Sequence, residues 1–163
     1  YSELGVGSTF RIYLPAVAAV EEPAPAPAPA PLARGRGETV LLAEDELPVR
    51  VFIRRVLTAN GYRVIECADG LDALRTASAH DGALDLLLTD VVMPRMQGKQ
   101  LALELSGLRP GLRVVYMSGY TEHALVENGM VHAAVGYLQK PFSQETLLQK
   151  VREILDGPAP AAG

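Results

Sequence analysis

Leu84-Asp85-Leu86-Leu87-Leu88-Thr89-Asp90 is an apolar run closed by a carboxylate, and Pro94 and Gly98 follow it. A short apolar run bounded by turn residues reads as a buried strand. An aspartate at its carboxyl end stands where open α/β sheets place their ligands. Three other segments repeat the arrangement. Glu44-Asp45 follow the strand-like Thr39–Ala43, Ser118 follows Leu112–Met117, and Lys140-Pro141 follow Ala134–Gln139.

Outward from these segments, strand and helix patterns alternate. Helices are expected over Pro48–Asn60, Gly70–His80, Gly98–Ser106, Thr121–Asn128 and Ser143–Asp156. Asn60-Gly61 stop the first, Asp69 or Gly70 caps the second, and Ser143 with Glu145 opens the last. A further strand reads over Tyr62–Glu66, and the last over Val135–Leu138. Strands at this spacing, divided by helices, imply a parallel sheet covered on both faces. The expected fold is a five-stranded, doubly wound α/β sandwich of the flavodoxin-like kind, with strand order 2-1-3-4-5.

The 163 residues give room for one ordinary domain and a tail, and 48% hydrophobic content is enough for a core. A net charge of −4, all of it arising after residue 37, argues against a nucleic-acid partner or contact with an anionic membrane. Cys67 is the single cysteine, which rules out an internal disulfide and fits a reducing, cytoplasmic setting. The alternating Pro23–Pro31 stretch cannot form a helix or a sheet ladder, because every second residue lacks an N–H. It reads either as a polyproline spacer of roughly 28 Å or as a disordered connection. In both readings residues 16–37 form a linker, residues 38–156 the folded domain and residues 157–163 a disordered tail.

Moving a phosphoryl group needs a nucleophile, neutralisation of oxygen charge and fixed donors around the transferred oxygens. Asp90, ending the central strand, is the nucleophile of choice. Glu44, Asp45 and Asp90 supply the hard oxygen ligands that Mg²⁺ takes. Ser118 can donate to one phosphoryl oxygen, and Lys140 can pair with another. Taken singly, each residue is an ordinary turn, cap or surface charge. An acidic pair, an acceptor aspartate, a hydroxyl and a lysine, each ending a different strand, form the parts of a Mg²⁺-dependent aspartyl-phosphate switch.

Residues 38–156 resemble a response-regulator receiver domain of bacterial two-component signalling. The resemblance rests on Leu41-Leu42-Ala43-Glu44-Asp45-Glu46, Leu88-Thr89-Asp90-Val91-Val92-Met93-Pro94, Met117-Ser118-Gly119 and Lys140-Pro141-Phe142. It implies that Asp90 accepts a phosphoryl group from a phosphohistidine. It also implies that Asp45, Asp90 and the backbone carbonyl of Val92 ligate Mg²⁺ directly, with Glu44 acting through a water. Glu44 departs from the family, which more often has Asp there. A cis peptide before Pro141 is implied as well, and a switch role for Tyr137, whose ring would turn inward as Ser118 moves toward the phosphate. Val92, two residues after Asp90, and Tyr120, two after Ser118, point to a long-lived acyl phosphate.

Ser2-Glu3-Leu4-Gly5-Val6-Gly7-Ser8-Thr9-Phe10-Arg11-Ile12-Tyr13-Leu14-Pro15 is similar to the end of a histidine-kinase ATP-binding domain. It reads as a glycine turn feeding one alternating strand, disordered or borrowed by another chain. Residues 1–15 would then be the remnant of a kinase core in a hybrid sensor histidine kinase, and the chain, opening at Tyr1, a fragment of something longer. His80, His123 and His132 lack the surroundings of a phosphoaccepting histidine, so this segment is expected only to accept and slowly hydrolyse phosphoryl groups. Its expected partners are the kinase core and a histidine phosphotransfer protein, and homodimerisation stays open. The alternative is a docking module that regulates the attached kinase without phosphoryl chemistry. A haloacid-dehalogenase-type phosphatase would need an acid where Val92 stands, and Glu44-Asp45-Glu46 would repel a flavin phosphate.

Overall fold

Val40-Leu41-Leu42 and Leu86-Leu87-Leu88 offer no polar side chain to either face, and all six residues are fully buried in the middle of one sheet. The computed structural model describes residues 1–5, 7, 8, 10, 11, 13, 34–119 and 135–158. Its strands are β1 (Thr39–Ala43), β2 (Arg63–Cys67), β3 (Leu86–Asp90), β4 (Arg113–Ser118) and β5 (Val135–Gln139). Helix α1 covers Leu47–Ala59, α2 Gly70–Ala79, α3 Gly98–Leu108 and α4 Gln144–Asp156. All pairings in this sheet are parallel and the order is β2-β1-β3-β4-β5, the expected arrangement. The expected helix over 121–128, with Tyr120, His123 and His132, lies outside the described residues.

Alternation along the strands sorts the core into two layers. Val40, Leu42, Leu88, Val115, Met117 and Leu138 face α1 and α4, whose Ile53, Leu57, Leu147 and Val151 complete that core. Leu41, Ala43 and Leu87 face the opposite way, against Ala73 and Ala77 of α2 and Leu101 and Leu105 of α3. Both faces of the sheet are thus covered, which is what its unbroken apolar strands require.

The caps follow side-chain chemistry. Asp69 accepts from the Asp72 amide at 2.9 Å to open α2, and Ser143 Oγ accepts from the Thr146 amide at 3.2 Å to open α4. Boundaries shift where a side chain competes with the ladder. β3 starts at Leu86 rather than Leu84, because the Asp85 carboxylate accepts from the Thr39 amide at 2.7 Å and closes the strand's lower end. α3 runs through Gly107 to Leu108, past the expected end at Ser106, and stops before Pro110, the stronger breaker.

The lower edge of the sheet is closed by ion pairs. Arg152 bonds Glu38 at 2.6 Å and Asp156 at 2.9 Å, and Arg36 reaches Asp156 at 3.3 Å. The amides of Gly35 and Gly37 donate to the carbonyls of Asn60 and Gly61, so the last linker residues lie against the α1–β2 turn. Residues 1–30 form a separate unit, in which Ser2–Glu3 pairs antiparallel with Gly7–Ser8 around Gly5, at φ +82°. The expected strand thus begins as the return limb of a short hairpin, and residues 6, 9, 12 and 14 of that stretch lie outside the described residues.

Tyr116 and Tyr137 are register partners on β4 and β5, and their rings stack with centroids 5.6 Å apart. Burial, aided by the neighbouring Tyr137, pushes the Tyr116 phenol from 10.0 up to about 12. A raised folded-state value means that the native chain holds this proton more tightly than the unfolded chain does. The resulting stability is complete below about pH 10, the unfolded value, and is lost as pH rises toward the folded one. In an alkaline titration followed by tyrosinate absorbance, Tyr116→Phe is expected to remove the step near pH 12. An undiminished step there would assign the buried phenol to another residue.

Candidate functional site

Parallel strands in register bring their carboxyl ends to one edge. Ala43 pairs with Thr89, Asp90 with Met117, and Ser118 with Gln139. Backbone bonds continue the ladders past the strand ends. The Glu44 amide donates to the Cys67 carbonyl at 3.2 Å, Val91 to Met117 at 3.0 Å, and Lys140 to Ser118 at 2.8 Å. The Lys140–Pro141 peptide is cis, as the resemblance implies. Glu44, Asp45, Asp90, Ser118 and Lys140 therefore gather at one end of the sheet.

Lys140 forks between two carboxylates. Its Nζ lies 2.8 Å from Glu44 Oε2 and 2.5 Å from Asp90 Oδ2. The remaining carboxylate oxygens take backbone donors: the Val92 amide donates to Asp90 Oδ1 at 3.2 Å, and the Glu46 amide to Glu44 Oε1 at 3.3 Å. Glu44 is fully buried and Asp90 is 8% exposed, whereas Asp45 faces solvent. Burial pushes the Glu44 carboxyl above its usual range even though Lys140 pulls it down. Burial alone would lower the Lys140 ammonium, but its bonds to Asp90 and Glu44 outweigh that and raise it. The ammonium therefore stays charged.

Oxygens of Glu44, Asp45 and Asp90 all lie within 4.8 Å of one another. Such a set of hard donors, partly open to solvent, suits a small divalent cation that keeps some of its waters. Ser118 is buried at the end of β4, Val92 is half exposed beside Asp90, and Tyr137 sits farther down β5 in its stack with Tyr116.

Sequence reasoning missed the residues that hold this edge in shape. Arg50 donates from α1 to the carbonyls of Glu44, at 2.6 Å, and Asp45, at 3.3 Å. Thr89 Oγ1 donates to the Asp90 carbonyl at 2.9 Å. A Cβ at Gly98 would stand 2.1 Å from that same carbonyl, so only glycine lets α3 begin there. Asp69, expected only as a cap, also forms an ion pair with Arg95 in the β3–α3 loop. Gly98 was visible as a turn residue, but nothing in the sequence separates Arg50 or Arg95 from other surface arginines.

Residues 40–152 match the model of the response regulator receiver domain. The response regulator receiver protein CpdR of Brucella abortus is 31% identical over 116 residues, covering 71% of this chain and 95% of that protein. The chain belongs to the receiver family. The sensor kinase CckA of Brucella abortus is 38% identical to it over 164 residues, which cover 95% of this chain but only 17% of the kinase. The receiver likewise spans 54% of the Mycobacterium tuberculosis transcriptional regulatory protein PdtaR, at 34% identity over 69% of this chain. Among solved structures it is similar to the receiver domain of the hybrid histidine kinase CckA. That likeness has TM-score 0.62 and 34% identity, over 72% of this chain and 99% of that one. The Vibrio cholerae chemotaxis protein CheY4 aligns with TM-score 0.64 at 28% identity, over 72% and 98% of the two chains. The fold is thus the flavodoxin-like α/β fold of receivers. No helix among the described residues is long and apolar enough to cross a membrane.

Removing one partner from a buried ion pair leaves an uncompensated charge, at a cost of about 3–5 kcal/mol. Lys140→Met is therefore expected to lower the thermal midpoint of the receiver in chelator at neutral pH. A divalent cation should restore more stability to this variant than it adds to the parent, by supplying the missing positive charge. Equal gains in the two melts would show that the cation is not held by these carboxylates.

Proposed function

We propose that the receiver is the phosphoacceptor of a two-component phosphorelay, with Asp90 taking a phosphoryl group from a phosphohistidine. The observation that carries this reading is the Lys140 fork between Asp90 and Glu44, beside the exposed carboxylate of Asp45, at the carboxyl edge of a receiver sheet. One Asp90 oxygen forms the new P–O bond as the P–N bond of the phosphohistidine breaks, and the bonding pair returns to the imidazole nitrogen. Lys140 would follow the charge from the carboxylate to a phosphoryl oxygen, and Ser118 would donate to another. Asp45, Asp90 and the Val92 carbonyl would hold Mg²⁺, with Glu44 one water further out. When bound, the ion neutralises charge on the transferred oxygens.

The 95% coverage of this chain by its match to the sensor kinase CckA supports reading residues 1–15 as the end of a kinase ATP-binding domain, followed by a linker. On that reading the phosphoryl group arrives from the parent's own kinase core and leaves for a histidine phosphotransfer protein, or is lost to water. Tyr137 would report the state of the site by turning inward as Ser118 closes on the phosphoryl group, a two-state element biased by local charge.

Acetyl phosphate with Mg²⁺ should add one phosphoryl group to the chain by intact mass, and Asp90→Asn should add none. A wild-type chain that stays folded and unmodified would favour the docking-module reading instead. Val92 is 52% exposed and offers no side-chain donor or acceptor to an attacking water. Val92→Asn is therefore expected to shorten the acyl-phosphate half-life, measured by decay of the phosphorylated mass after removal of donor. An unchanged decay rate would show that this side chain does not limit water's access.

A further inference from the structure

The β3–α3 loop carries the two groups that the site takes from backbone rather than side chain. These are the Val92 amide, which donates to Asp90 Oδ1 at 3.2 Å, and, on the proposed function, the Val92 carbonyl. The loop's inner limb is held by packing: Met93 is buried in the second core, and the Gly98 amide donates to the Val91 carbonyl at 3.0 Å. Its outer limb is held from α2. Asp69 is buried, its Oδ1 caps the helix at the Asp72 amide, and its Oδ2 forms an ion pair with Arg95. Beside that pair the first turn of α2 lies directly on the loop, since a Cβ at Gly70 would stand 2.4 Å from the Met96 carbonyl.

Two choices of residue type show that the pair does more than cap a helix. Serine caps as well as aspartate does, and Ser143 does so at α4 with the Thr146 amide alone. Only a carboxylate has a second oxygen to offer the loop. Arg95 has φ 67°, a left-handed conformation that favours glycine or asparagine. An arginine held there, its side chain turned back onto a buried carboxylate, trades local backbone preference for a fixed tie between loop and helix.

We infer that Asp69 and Arg95 are positioning residues for the cation site: their ion pair fixes the β3–α3 loop so that the Val92 backbone is already in place beside Asp90 and Asp45. This deepens the proposed function and rests on its reading of Val92 as a metal ligand. Groups bonded directly to metal ligands change affinity by about 10- to 100-fold when removed; this pair acts through the loop backbone, so the lower end of that range is expected.

The test measures binding of Mn²⁺ alone, by the loss of the free-ion paramagnetic resonance signal, together with thermal midpoints and phosphoryl uptake by intact mass. Asp69→Ser keeps the cap and loses the pair, whereas Arg95→Asn keeps the left-handed backbone and loses the pair. Each is expected to raise the Mn²⁺ dissociation constant about 10-fold. The double variant should bind no more weakly than either single one, because both remove the same interaction. Arg95→Lys should recover part of the loss. Arg152→Gln, which breaks the Glu38 ion pair at the opposite edge, should leave Mn²⁺ binding unchanged. If Asp69→Ser does not fold, Arg95→Asn decides alone. Parental affinity in the pair variants, independent additive losses, or a lowered midpoint with unchanged affinity would each overturn the inference. With wild-type Mn²⁺ binding and phosphoryl uptake intact, those results would leave the proposed function standing. A wild-type chain that takes up neither Mn²⁺ nor phosphoryl would overturn both.

Discussion

Glu44 and Asp90 are carried to the same edge by adjacent parallel strands and withdrawn from water far enough that neither is tolerated as a lone charge. Lys140, arriving from the far side of the sheet, touches both. One ammonium cannot balance three carboxylates, so with all four groups ionised this cluster keeps an excess of two negative charges. A divalent cation would cancel that excess. The same ammonium that pairs with Asp90 would lie within reach of a group attached to it, so on the proposed function little would have to move for the site to accept charge on a phosphoryl group. Preorganised charge of this kind needs no reorganisation at the moment of reaction.

The rest of the architecture serves to hold like charges together. Apolar strands covered on both faces give a rigid platform, and parallel pairing aligns the ends of the strands that carry the site through backbone bonds. Gly98 lets α3 start against the Asp90 carbonyl, and Arg50 draws the carbonyls of Glu44 and Asp45 toward α1. Each acts on the backbone that carries a carboxylate.

This division explains what the sequence reveals. Strand runs such as Leu86–Leu88 and the residues ending them are local patterns, and they placed the fold, the strand order and the clustering of Glu44, Asp45, Asp90, Ser118 and Lys140. Cap chemistry likewise exposed Asp69 and Ser143. Contacts between distant segments leave no local mark. Arg95 pairs with a residue 26 positions earlier in the sequence, and its type says nothing about that partner. The β3 boundary escaped notice for the same reason, because Asp85 answers to Thr39 on a neighbouring strand.

The two edges of the sheet differ in how their charges are met. At the lower edge Glu38, Asp156, Arg36 and Arg152 satisfy one another in alternating signs, and the ladder is closed by Asp85. At the upper edge acids outnumber bases, and the proposed function makes use of that surplus. Concentrating well-matched pairs away from the site lets the upper edge remain electrostatically unbalanced without loss of the fold. Proteins commonly break local rules at functional positions and compensate elsewhere. A receiver with a neutralised upper edge would be the more stable molecule, and on the proposed function it would lack both the carboxylate that accepts the phosphoryl group and the charge that draws a cation.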